Sequence, residues 1–158
     1  MAGFLQKEQA ALQDADGNDF DIGSLKDSDV IALYFSAHWC PPCRGFTPVL
    51  KQFYEKLQAE GQTDLKVVFV SSDRSEKDMW SYMKESHGKW LTAKFGGSAH
   101  SSLGETFGIR GIPCLMVLDQ AGNPCVSSGV QDVYAAMKAN THKELLATWR
   151  QKSGAKAA

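Results

Sequence analysis

Four cysteines and four histidines are the side chains of this chain with the widest chemical range, and two of the cysteines stand together in FSAHWCPPCRGFTP. Cys40 and Cys43 enclose a Pro-Pro pair. A C-x-x-C of this kind serves as a metal knuckle, a structural staple or a redox site. Zinc requires two further ligands. Cys114 and Cys125 have ten residues between them, and His38, His87, His100 and His142 are scattered without ligand spacing. A staple closing a two-residue loop restricts almost nothing in the unfolded chain. Thiol–disulfide exchange is the chemistry that remains, with no metal expected.

That chemistry depends on the elements flanking the pair. VIALYFS (Val30 to Ser36) is a continuous β-rich run, as in a strand covered on both faces. From Cys43 to Leu57, Phe46, Val49, Leu50, Phe53, Tyr54 and Leu57 recur at spacings of three and four, which predicts a helix with one apolar face, ended by Gly61. Cys40 therefore follows a strand, and Cys43 lies in the first turn of a helix. There the unpaired N–H groups and the positive end of the helix dipole favour a thiolate. Helix starts and C-x-x-C motifs bring a cysteine pKa to roughly 3.5–7.5 from about 8.5. Pro41 and Pro42 lack an N–H where none is needed, and their fixed φ stiffens the link between the two sulfurs.

The remaining pattern supplies a scaffold. LKVVFVSS (Leu65 to Ser72) reads as a second buried strand. SEKDMWSYMKESHG follows as a helix capped at Ser75, with Asp78 in its first turn and Met79, Trp80 and Met83 on one side. A polar loop and a short helix near His100 to Phe107 lead to CLMVLD (Cys114 to Asp119), which QAGN turns into PCVSS. An Ala121-Gly122 two-residue turn would set Leu118 opposite Cys125 and Cys114 opposite Gly129. A helical pattern from Asp132 to Arg150 breaks near Asn140, and two short extended pieces flank DADGND between Lys7 and Leu25. This order predicts an α/β fold with a mixed central sheet, helices on both faces and an N-terminal hairpin extension. One domain over residues 1–152 and a flexible tail over 153–158 are expected.

Composition narrows the partners. Lys and Arg number 17 against 18 Asp and Glu, so no net field points to nucleic acid or an anionic membrane. The apolar runs are too short to span a bilayer, and the N-terminus lacks the pattern of a signal peptide. A cytoplasmic setting, with the nucleus also open, follows as an expectation. DADGNDFDIGSL places Asp14, Asp16 and Asn18 like calcium-loop ligands, but Asp19 and Leu25 stand where that loop needs Gly and Glu. An acidic turn is expected instead.

Trp39, Cys40 and Cys43 after a buried strand, with Ile112-Pro113 before a later one, resemble the thioredoxin-fold pattern. YFSAHWCPPCRGFTP, AEGQ and FVSSDRSEKD are similar to the nucleoredoxin and tryparedoxin group, nearer to nucleoredoxin. The likeness covers roughly Val30 to Asp119. It implies Cys40 as the exposed attacking thiolate, Cys43 as the partly buried resolving thiol, and Trp39 as a wall beside Cys40. It also implies a cis Pro113 against the pair, with Ile112 offering backbone hydrogen bonds to an extended substrate. Arg44 would add a cation close to the thiols, a placement that lowers thiol pKa values. The chain departs from thioredoxin proper in having Tyr34 where a buried Asp stands, which leaves Asp73 as the carboxylate expected near the pair. It departs from tryparedoxins at Ser72, where Trp is usual, and Cys114 replaces a common Thr.

A dithiol–disulfide oxidoreductase acting on protein disulfides is the expected function. The alternative is a redox-responsive adaptor of nucleoredoxin type, in which the pair switches partner binding. No bound cofactor is implied. Electrons would come from an external donor, either thioredoxin reductase, linking NADPH indirectly, or a low-molecular-weight thiol. A monomer is expected.

Overall fold

The computed structural model describes residues 11–156. Seven strands form one sheet: β1 (Leu12–Gln13), β2 (Asp19–Phe20), β3 (Val30–Ser36), β4 (Leu65–Ser71), β5 (Leu91–Ala93), β6 (Cys114–Leu118) and β7 (Pro124–Val126). Their order across the sheet is β2-β1-β5-β4-β3-β6-β7. The central β3, β4 and β5 run parallel, while β1, β2, β6 and β7 pair antiparallel. The helices are α1 (Pro41–Ala59), α2 (Glu76–Ser86), α3 (Ser98–Thr106), α4 (Gly129–Ala139) and α5 (His142–Ser153). This is the thioredoxin fold, with a mixed sheet between two helical layers.

Period-two alternation sorts the strands between two cores. Val30, Ala32 and Tyr34 of β3 join Leu65, Val67 and Phe69 of β4 and Leu115 and Val117 of β6 against the helical side that includes Phe46, Leu50, Phe53, Val133 and Trp149. The intervening Ile31, Leu33, Phe35, Val68, Val70, Met116 and Leu118 face Leu12, Leu25 and Leu103 on the other side. Every residue of β3 is buried, as its unbroken apolar run requires. Tyr34 and Ser36 fall on the same face as α1 because they stand two positions apart along the strand.

The expected N-terminal hairpin is present from Leu12, with Asp14 accepting from the N–H groups of Asp16 and Asn18. The part of that expectation before Ala11 lies outside the described residues. Strand β5 lies inside the segment that reads as a polar loop. Its three residues are all buried, because β1 covers its outer edge and β4 its inner one. The break near Asn140 is a left-handed residue at φ 59, and Asn accepts this conformation more readily than most side chains.

Two expectations need correction. The β6–β7 turn is a three-residue loop rather than a two-residue one: Asp119 N–H bonds to Asn123 O at 2.8 Å, and the Asp119 carboxylate accepts from the N–H groups of Ala121 and Asn123. Leu118 consequently faces Pro124, Val117 faces Val126, and a bulge leaves Cys125 as the extra residue. The tail expected to fray from Ser153 is held through Lys156. Ser153 is buried in α5, Lys156 N–H bonds to Asp27 O at 3.0 Å, and Arg150 Nη1 reaches Ser28 O and Lys156 O.

Candidate functional site

The chain leaves the buried end of β3 at Ser36 and must enter α1 within four residues. Ala37, His38 and Trp39 make the turn, closed by Cys40 N–H on Ala37 O at 3.2 Å. Cys40 is the N-cap of α1, with Pro41 and Pro42 filling the first helical positions. Its Sγ accepts the N–H of Cys43 at 3.4 Å, so the sulfur occupies the place usually taken by a capping oxygen. From the opposite side the Cys40 thiol reaches the carbonyl of Ile112 at 3.8 Å, and the Ile112–Pro113 bond is cis. Cys40, Cys43, Ala37 and Ile112 form one small apolar cluster. This packing leaves Cys40 only 5% exposed and Cys43 wholly buried, so both thiols are more enclosed than expected.

Trp39, next to Cys40 in the chain, is 55% exposed, and its Nε1 donates to Ser72 O at 3.0 Å, which pins the indole at the surface rather than in the core. A groove of about 300 Å³ runs between Trp39 and the Ile109–Ile112 segment, with Arg110 and His100 also lining it. On the other side of Trp39, the Arg44 side chain is exposed and shares a shallow hollow with His38, Asp73 and Asp78. Asp73 is buried, and its carboxylate is hydrogen-bonded within the turn. Its Oδ1 accepts the His38 N–H at 2.8 Å and its Oδ2 accepts the Ser71 hydroxyl at 2.6 Å, so it anchors the turn that carries Trp39.

Behind Cys43 lies a set of side chains that the sequence did not single out as a site. Tyr34 OH meets Thr47 Oγ1 at 2.6 Å, Thr47 Oγ1 also meets Tyr82 OH, and Tyr82 OH meets Ser36 Oγ at 2.7 Å. Thr47 donates to the carbonyl of Cys43 at 2.8 Å. All four hydroxyls are buried. Burial pushes the Cys43 thiol up to about 11, Cys40 adds to the rise, and the Ser36 hydroxyl pulls against it. Burial likewise raises Tyr34 and Tyr82. The signal available in the sequence was three hydroxyl residues at even or helical spacing around the pair, which means little until α1, α2 and β3 are brought together.

A family model described as thioredoxin-like matches residues 27–124. The chain belongs to the thioredoxin-like family. Within it, mouse nucleoredoxin is 42% identical over 118 residues, covering 74% of this chain and 26% of the relative. Tryparedoxin of Trypanosoma brucei brucei is 46% identical over 101 residues, covering 62% of this chain and 65% of the relative. The crystal structure of thioredoxin from Wuchereria bancrofti superposes with a TM-score of 0.73 at 43% identity, covering 88% of this chain and 95% of that one. The chain thus spans about a quarter of the length of the mouse nucleoredoxin it matches. Its similarity extends to both branches named by the sequence motifs, and the thioredoxin-like family is one of oxidoreductases.

In this thioredoxin-like chain the two remaining cysteines pack outside the cluster that holds the pair. Cys114 opens β6 opposite Phe35, half-buried, and burial raises its pKa. Cys125 sits in the bulge, its thiol reaching Val117 O at 3.5 Å, and is raised by burial and then by the charge of Asp119. Among the described residues no helix is long and apolar enough to cross a membrane.

Proposed function

We propose that this chain is a dithiol–disulfide oxidoreductase that reduces protein disulfides, with Cys40 as nucleophile and Cys43 as resolving thiol. The observation that carries the reading is the position of Cys40 Sγ, which caps α1 on the N–H of Cys43 and lies against Ile112 O beside cis Pro113. The Cys43 N–H and the positive end of α1 supply a field that favours negative charge on that sulfur. Cys40 attacks one sulfur of the target disulfide and displaces the other as a thiolate. Cys43 then loses its proton and attacks Cys40 Sγ, and the target's second thiol departs with a proton. Two electrons pass from the protein to the target, leaving Cys40–Cys43 oxidised.

The groove between Trp39 and Ile112 suits an extended segment flanking the target disulfide, with Arg44 at the far rim of the indole. No bound cofactor takes part. An external donor, thioredoxin reductase or a small thiol, reduces the pair again, and NADPH enters only through such a reductase.

The test uses two variants on an insulin-type disulfide substrate. Cys40→Ser should abolish reduction while leaving the circular dichroism spectrum unchanged, and Cys43→Ser should accumulate mixed disulfides on non-reducing gels. Near-native turnover by Cys40→Ser would refute the assignment, and trapping by Cys40→Ser alone would reverse the two roles. If the wild-type protein binds partners in a redox-dependent way without catalytic turnover, the adaptor reading replaces this one.

A further inference from the structure

On the reading above, a target disulfide meets Cys40 along the groove of about 300 Å³ beside Trp39. How the loop opposite Trp39 is anchored decides which side chains line that approach. Ile109 and Ile112 pack, partly buried, against the core that contains Phe35 and Val70, and Ile109 N–H donates to Gly104 O at 2.8 Å. Both ends of the loop are thereby fixed, while Arg110 and Gly111 between them are exposed on the groove wall. Among the described residues no ion pair or hydrogen bond engages the Arg110 guanidinium. Two residues of chain keep Arg110 within about 7 Å of Ile112, Cα to Cα. Ile112 O is the carbonyl that the Cys40 thiol reaches at 3.8 Å.

The groove also has a sign. No carboxylate lines it among the described residues. His100, on the same wall, accepts the Gly96 N–H at Nδ1 at 3.2 Å, so its neutral ring carries the proton on Nε2 and adds a donor. The acids near the redox turn, Asp73 and Asp78, share the hollow on the other side of the indole with His38 and Arg44. Both oxygens of Asp73 are already engaged there. The polarity is local, since the whole chain has a formal net charge of -1. An exposed guanidinium without a partner suits a carboxylate, which it can hold through two parallel N–H donors.

We infer that Arg110 is a specificity-determining residue: it favours target disulfides with a glutamate or aspartate close to the attacked cysteine and disfavours those with a lysine there. An extended target segment advances about 3.3 Å per residue, so the acidic side chain belongs within about three residues of that cysteine. Arg110 forms no bond to the reacting sulfurs and moves no proton. It acts by holding the target segment against the wall while Cys40 attacks, and the thiol–disulfide exchange itself is unchanged.

The experiment uses pairs of peptides that differ only in Glu or Lys, placed at each of the three positions on either side of a single cysteine capped as the neutral 2-thiopyridyl disulfide. Cys40 takes the peptide as a mixed disulfide and 2-thiopyridone leaves; Cys43 then releases the peptide thiol as the Cys40–Cys43 disulfide forms. At the best position, wild type should react about fivefold faster with the Glu peptide, the combined size of one exposed attraction and one exposed repulsion. High salt should bring the ratio toward unity. Arg110→Glu should invert it, Arg110→Ala should flatten it, and Arg110→Lys should keep its direction. Equal rates at every position in wild type, or an unchanged ratio in folded Arg110→Glu, overturn the inference. Absence of reduction with every peptide would sink the oxidoreductase reading, and Arg110 is then judged by binding alone. For that, the same pairs with Ser in place of cysteine are titrated against the Trp39 indole N–H signal in NMR. The Glu peptide should bind more tightly to wild type and the Lys peptide to Arg110→Glu; equal affinities overturn the inference.

Discussion

A carboxylate beside a redox pair invites a catalytic role, but the position of Asp73 assigns it another. It satisfies the His38 N–H and the Ser71 hydroxyl, and so fixes the turn between β3 and α1. Asp73→Ala leaves those groups without their acceptor, and each unsatisfied buried group costs about 1–3 kcal/mol. Its urea midpoint should fall accordingly, and turnover should drop as the Trp39 wall loses its footing. Asp73→Asn keeps an oxygen for His38 and should recover most of the stability. Its pH dependence of the resolving step should match wild type; an alkaline displacement in Asp73→Asn would instead make Asp73 the proton acceptor.

At the level of elements, the site depends on how closely α4 seats on β6. Gly129 opens α4, and a Cβ there would lie 2.5 Å from Leu115 O and 2.8 Å from Leu115 Cβ. Backbone cannot yield as a side-chain tip does, so Gly129→Ala should destabilise the fold by about 2 kcal/mol, in the range of overpacked cores. Chemical denaturation measures this directly, and an unchanged midpoint would mean that α4 shifts freely. The β6–β7 hairpin sets a second expectation. Cys114 pairs opposite Phe35, and Cys125 sits in the bulge at Val117, three residues further along β6. That is about 10 Å along the strand, beyond the roughly 7 Å that a disulfide tolerates between Cα atoms. Oxidation should consume two thiols per chain and leave two that react with Ellman's reagent in denaturant. A chain with all four oxidised as a monomer would contradict the hairpin register.

For the molecule as a whole, His87 sets an acid limit. It is enclosed by Tyr34, Phe69, Tyr82 and Trp90, and its Nδ1 accepts from Trp90 Nε1 at 3.0 Å. Burial, and after it the charge of His38, lower its pKa from 6.5 to about 3. Above pH 6.5 the ring is neutral whether folded or unfolded, and it adds no pH dependence. As pH falls below that value the unfolded chain takes up a proton that the folded chain refuses, so stability is lost progressively until about pH 3. The loss at pH 5 is on the order of 2 kcal/mol. His87→Gln retains an acceptor for Trp90 and cannot charge, so its stability should fall less steeply between pH 6.5 and 4 in urea titrations. Parallel slopes for the two proteins would show that other groups govern the acid limb.

Local chemistry sufficed for much of this protein. The unbroken apolar run of β3, the spacing of Phe46, Leu50, Phe53 and Leu57, the cap at Ser75 and the Trp-Cys-Pro-Pro-Cys segment each specify their structure within a few residues. Backbone propensity and periodicity act over that range. The Ile112–Pro113 turn was legible only through resemblance, since nothing in its neighbours dictates a cis bond against Cys40. What tertiary structure decided involves groups far apart in sequence. β5 is too short to register as a strand until β1 and β4 flank it. Asp73 became an anchor because His38, 35 residues away, presents an unpaired N–H to it. Ser36, Thr47 and Tyr82 come from a strand and two helices, and each is an ordinary polar residue alone. Their network arises from hydrogen-bond direction, and a donor has no direction until the fold supplies its acceptor.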